Sequence, residues 1–195
     1  MEGDRLGERL CRVCVLRSGR LPGLRFHDHA ARAAVLIDLA LWRRISRADT
    51  GELIISTTPT GSPVADKMLG HIDRHPASTI RDILARAPGR MSHFLHTPDL
   101  NRHWYSRSPR IGQSEVDAER QRLDRAVAGD IDSPRTAAFA LLADALRIVE
   151  LTEPQTVLAQ CGEAAWIVEE CIDYLLLVRY RCELGVAAGS VGSGG

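Results

Sequence analysis

Between residues 33 and 41 the chain runs Ala-Ala-Val-Leu-Ile-Asp-Leu-Ala-Leu, with Asp38 as the one polar break. A helix apolar on nearly every side belongs in the middle of a core, so the segment from Ala30 to about Ile45 is expected to be a central, buried helix capped by Asp28. Before it, Leu6, Leu10, Val13 and Cys14 recur at helical spacing within residues 4–16, and Ser18 to Leu24 reads as a loop. Gly51 to Thr57 is β-like and is stopped by Pro59-Thr60-Gly61-Ser62-Pro63. Ser62-Pro63 and Ser133-Pro134 each supply a cap and a first helical position. They open helices carrying Val64, Met68, Leu69 and Ile72, and the strongly apolar run Thr136–Val149. A short helix is expected over Thr79–Ala87, a polar one over Ser114–Ala128, and one or two closing helices over 154–185. Residues 98–113 read as a short hairpin or irregular loop around Trp104-Tyr105. The whole is expected to be mainly α: a single globular helical domain over 4–186 with one or two small β-hairpins, then a flexible Gly/Ser tail at 187–195.

Composition narrows the class. Apolar residues make up 45% of 195, enough for a packed interior and against wholesale disorder. The formal net charge is zero. A nucleic-acid binder usually carries a basic excess, so no nucleic acid is expected as a partner. Lys67 is the sole lysine, and every other basic residue is arginine, a planar fork suited to phosphate or carboxylate. Codon bias accounts for this preference most simply. Five cysteines, an odd number without regular spacing, do not form a disulfide framework; Cys11 and Cys14 read as buried thiols. The N-terminus lacks an apolar leader and no stretch is long enough to span a bilayer, so a cytoplasmic protein, free or peripheral at the inner face of a membrane, is expected.

Three segments together resemble the Golgi phosphoprotein 3 family. Arg32 to Ile45, reading Arg-Ala-Ala-Val-Leu-Ile-Asp-Leu-Ala-Leu-Trp-Arg-Arg-Ile, is similar to its central helix. Pro59-Thr60-Gly61-Ser62-Pro63-Val64-Ala65-Asp66-Lys67-Met68-Leu69 is similar to its proline-glycine turn and the helix that follows. Asp132-Ser133-Pro134-Arg135-Thr136-Ala137-Ala138, with Leu141-Leu142, resembles its late Pro-Arg-Thr-Ala helix. Order and spacing agree over about residues 6–150. The resemblance implies a helical fold that docks on membranes. In eukaryotic members it recognises phosphatidylinositol 4-phosphate and gathers the cytoplasmic tails of Golgi glycosyltransferases. The arginine bias suggests a bacterial, actinobacterial-type member, for which anionic phospholipid headgroups and cytoplasmic tails of membrane proteins are the implied partners.

A phosphomonoester needs dense donors and positive charge. The family draws these from a tryptophan and an arginine near the start of the central helix, and from two arginines three apart on a later helix. The first arginine corresponds to Arg32. An i,i+4 pair with Asp28 is the structural alternative for that residue. Gly23 stands at the tryptophan position, with Phe26 the nearest aromatic residue. The later pair has no strict counterpart; Arg86 and Arg90 occupy the region, four apart around Pro88-Gly89. The family also inserts an apolar hairpin at the membrane interface. Here that region holds Trp104 and Tyr105, flanked by Arg102, Arg107 and Arg110, as possible membrane contacts; rings folded back over the core are the alternative. Arg43, Arg44 and Arg47 form a further basic cluster that helix-dipole complementarity already explains.

No catalytic constellation emerges. His71 and His75 lie four apart but lack the glutamate of an H-E-x-x-H motif and a third ligand, so no metal and no cofactor are expected. His27-Asp28-His29 is better explained by capping. Gly-rich phosphate loops, nucleophile elbows and paired carboxylates are absent from the sequence. A DNA-binding regulator and a protein-interaction scaffold without lipid affinity remain as rival classes.

Overall fold

The computed structural model describes residues 5–14, 25–76, 79–87 and 113–190. Its elements are α1 (Leu6–Cys14), α2 (Arg25–Leu41), β1 (Ile45–Arg47), β2 (Leu53–Ile55), α3 (Pro63–Arg74), α4 (Ile80–Arg86), α5 (Gln113–Val127), α6 (Pro134–Ala145), α7 (Pro154–Ala159), a 3-10 turn at Gly162–Ala164 and α8 (Ala165–Ser190). The fold is mainly α, with one two-stranded antiparallel sheet among the described residues.

The apolar run behaves as its pattern demands. Ala33 through Leu39 are all buried, and α2 packs against α1, α3, α4, α6 and α8. α6 is the second core helix. Thr136 to Ala143 are buried on every side, and this helix packs against α1, α2, α5, α7 and α8. Asp38, the polar break in α2, is buried and used: its Oδ2 accepts the Leu6 backbone N–H at 2.8 Å, and its Oδ1 lies 3.2 Å from Arg135 Nε on α6. A buried carboxylate thus caps α1 from another helix and ties α2 to α6. A second buried acid, Glu119 on α5, gathers Arg9 (2.5 Å), Arg122 (3.1 Å) and Arg12 (3.8 Å), with the Arg9 guanidinium 4.2 Å above the Phe139 ring.

The caps at Ser62 and Ser133 form as expected, each hydroxyl accepting the N–H three residues on. Thr79 and Asp82 make a reciprocal capping box at α4. Three boundaries differ from expectation. α2 starts at Arg25, so Asp28 lies in its first turn and does not cap it. α2 also ends at Leu41, short of Ile45, and α6 ends at Ala145, short of Val149. Both helices close by the same device. Arg43 adopts φ 55° while its N–H reaches Ala40 O and that of Arg44 reaches Leu39 O. Arg147 adopts φ 56° while its N–H reaches Asp144 O and that of Ile148 reaches Ala143 O. This left-handed closure normally recruits glycine, as Gly129 (φ 94°) does after α5. With arginine in that place the stop is hidden in the sequence.

The chain released at Arg43 forms β1, which pairs with β2 in the register Ile45↔Ile55, Ser46↔Ile54 and Arg47↔Leu53. Ile45 faces the core, whereas Ile54, on the opposite face, is exposed. Arg47 lies 4.4 Å above the Trp166 ring and pairs with Glu170, fastening the hairpin to α8. The supposed basic cluster is thereby dispersed: Arg43 pairs with Glu163 at 3.2 Å and Arg44 donates to Ser56 Oγ at 3.5 Å. Helix α8 continues to Ser190, and residues 191–195 lie outside the described residues.

Candidate functional site

Arg32 projects from the second turn of α2 towards the C-terminal end of α4. Its Nη1 donates to Leu84 O at 2.8 Å and to Ala85 O at 3.2 Å. These carbonyls belong to the last turn of a seven-residue helix, where backbone acceptors lack partners and the helix dipole is negative. Part of the guanidinium therefore serves the fold. The question posed in the sequence, whether Arg32 meets a carboxylate or an external anion, has a third element: it caps a neighbouring helix.

Two further groups complete this junction. His29, one turn before Arg32, places Nδ1 3.2 Å from Leu84 O and 3.1 Å from the Tyr174 hydroxyl of α8. The His29 and Tyr174 rings lie 5.5 Å apart. Burial lowers the His29 pKa, the Leu84 carbonyl acts against that, and Arg32 adds to the lowering. Burial raises the Tyr174 pKa, while the positive charges of Arg32, Arg181 and Arg81 pull it down. Those three arginines come from α2, α8 and α4, so positive charge from three helices surrounds this junction. Arg81 and Arg181 are exposed. Such a convergence, beside a hydroxyl and a half-buried imidazole, can receive an anion whose charge no single side chain would hold.

Of the headgroup residues expected from sequence, Arg32 stands at this junction. Arg86 lies in the last turn of α4, highly exposed, with Asp82 Oδ1 4.0 Å away. Arg90 lies outside the described residues, as do Trp104, Tyr105, Arg102 and Arg107. Arg81, Arg181, Tyr174 and His29 were missed. Arg81 looks like any surface residue of a short helix, and the two α8 residues are about 140 positions from Arg32; only the fold brings them together.

Other chemistry is accounted for structurally. Cys11 and Cys14 are buried, and loss of hydration pushes both thiols up to about 12, which suits packing and opposes thiolate chemistry. Among the described residues no group of three or more His, Cys, Asp or Glu is placed to hold a metal. A cleft of about 640 Å³ lies between the hairpin, Pro76, the start of α4 and Glu170. Its lining includes neither Tyr174 nor Arg32, Arg81 or Arg181.

The sequence profile of one protein family, described as Golgi phosphoprotein 3, matches residues 16–165. No curated protein and no solved structure matches the chain.

Proposed function

Since the chain belongs to the Golgi phosphoprotein 3 family, we propose that it is a peripheral membrane-associated protein that binds anionic phospholipid headgroups, phosphoinositides such as phosphatidylinositol 4-phosphate among them. The observation that carries this reading is the junction at which the Arg32 guanidinium meets the end of α4 beside the hydrogen-bonded His29–Tyr174 pair, with Arg81 and Arg181 adding positive charge to its surroundings. Arg86 extends the positive charge along α4. Among the described residues no helix is long and apolar enough to cross a membrane, which is consistent with attachment by surface contacts. The location we propose is the cytoplasmic face of a membrane. No catalytic role and no nucleic-acid partner belong to this reading.

The departures at Gly23 and around Pro88-Gly89 favour charge-driven binding over selective reading of one phosphate position. Each basic residue close to an anionic surface contributes about 1 kcal/mol, so affinity should depend steeply on salt. Vesicle flotation with and without phosphatidylinositol 4-phosphate, at low and high salt, tests this. Arg81→Gln combined with Arg181→Gln should weaken binding several-fold with an unchanged melting temperature, because both side chains are exposed. Flotation unaffected by the double variant would overturn the site. One observation favours a second reading, a protein-interaction scaffold: Arg32 already serves the carbonyls of α4. Absence of vesicle binding even at low salt would support that alternative, and salt-sensitive retention on DNA would point to a regulator.

A further inference from the structure

Helix α3 closes on two histidines. His71 lies in its last turn, and His75 is the capping residue, its N–H bonded to Ile72 O at 2.9 Å. The imidazole centroids are 4.9 Å apart and the rings are tilted by 55°. His71 is half-buried and His75 exposed, so solvent reaches the pair. Two imidazoles this close can each turn a ring nitrogen towards one ion, and the folded helix has already met the cost of bringing them together.

We propose that His71 and His75 form a two-imidazole site for a divalent transition ion of the zinc, nickel or copper class, with water completing the coordination. Imidazole nitrogen suits these ions and is a poor ligand for magnesium or calcium. The Arg74 side chain is held back against the helix by a 2.8 Å hydrogen bond from Nε to Gly70 O. Lys67, one turn earlier, adds positive charge and Asp73 negative charge on the same helix. With no third side chain among the described residues, each imidazole is indispensable. This site is on α3 and is independent of the arginines around Tyr174.

Titration calorimetry of the whole chain with zinc chloride, and separately nickel chloride, at about pH 7.5 tests the proposal. One equivalent should bind, and His71→Gln or His75→Gln should each weaken binding by roughly tenfold or more. Because the chain has seven histidines, that difference is the decisive reading. Equal affinity in the variants, or no binding by the unsubstituted chain, overturns the site. A measurement needing no variant is the paramagnetic resonance spectrum of one equivalent of Cu²⁺. Two imidazole nitrogens in its equatorial plane are expected; one or none overturns the proposal.

Discussion

Arg32 carries two demands on one side chain. Its bonds to Leu84 O and Ala85 O satisfy acceptors at the end of a helix too short to be stable by itself. Removing a charged donor from such carbonyls costs on the order of 1–2 kcal/mol. Arg32→Ala is therefore expected to lower the melting temperature as well as vesicle binding, and thermal unfolding followed by circular dichroism checks this. An unchanged melting temperature would mean that water replaces the guanidinium at α4 without loss. For that reason the proposed headgroup site is better tested at Arg81 and Arg181, whose side chains are exposed.

At the scale of elements, starts and stops follow different rules. The starts of α3, α4 and α6 use Ser62, Thr79 and Ser133, side chains that accept a backbone N–H and are recognisable in sequence. The stops of α2 and α6 depend on a backbone conformation that arginine adopts at a cost and glycine adopts freely. Arg147→Gly is thus expected to stabilise the protein by roughly 0.5–1 kcal/mol, relief of strain outweighing the freedom gained by the unfolded chain. Its exposed pair with Glu183, at 3.5 Å, is worth little to lose. Denaturant unfolding measures the change, and a lower midpoint in the variant would show that Arg147 is held there by more than the closure of α6. The same hidden stop at Arg43 decides more than a boundary, because it frees Ile45–Arg47 to pair with Leu53–Ile55.

Across the whole molecule, two of the three segments that carry the family resemblance meet at Asp38, and Arg5 ties in the third. The central helix supplies the carboxylate, and Trp42 5.8 Å from the Arg135 guanidinium; the Pro-Arg-Thr-Ala helix supplies Arg135; Arg5 links the Asp38 surroundings to the proline-glycine turn by donating to Gly61 O at 3.4 Å. The motifs most visible in sequence are therefore largely a knot of the fold, not the ligand site. Burial outweighs Arg135 and the Leu6 N–H there, raising the Asp38 pKa to about 6 from 3.8. The folded chain then holds that proton more tightly than the unfolded chain, so the Asp38 contribution is full below the unfolded pKa and is lost as pH rises through about 6. Melting temperatures of the native chain and Asp38→Asn should diverge in favour of the native chain between about pH 7 and pH 4; divergence the other way would show the ion pair prevailing over desolvation. Amino-acid order alone determined the helical class, the buried α2 and α6, most helix starts and the family, because these depend on local periodicity, capping chemistry and short motifs. Only the tertiary structure decided the hairpin partner of β2, the capping of α4 by Arg32 and the pairing of His29 on α2 with Tyr174 on α8. Those depend on contacts between residues far apart in the chain, whose separations are set by how the core packs.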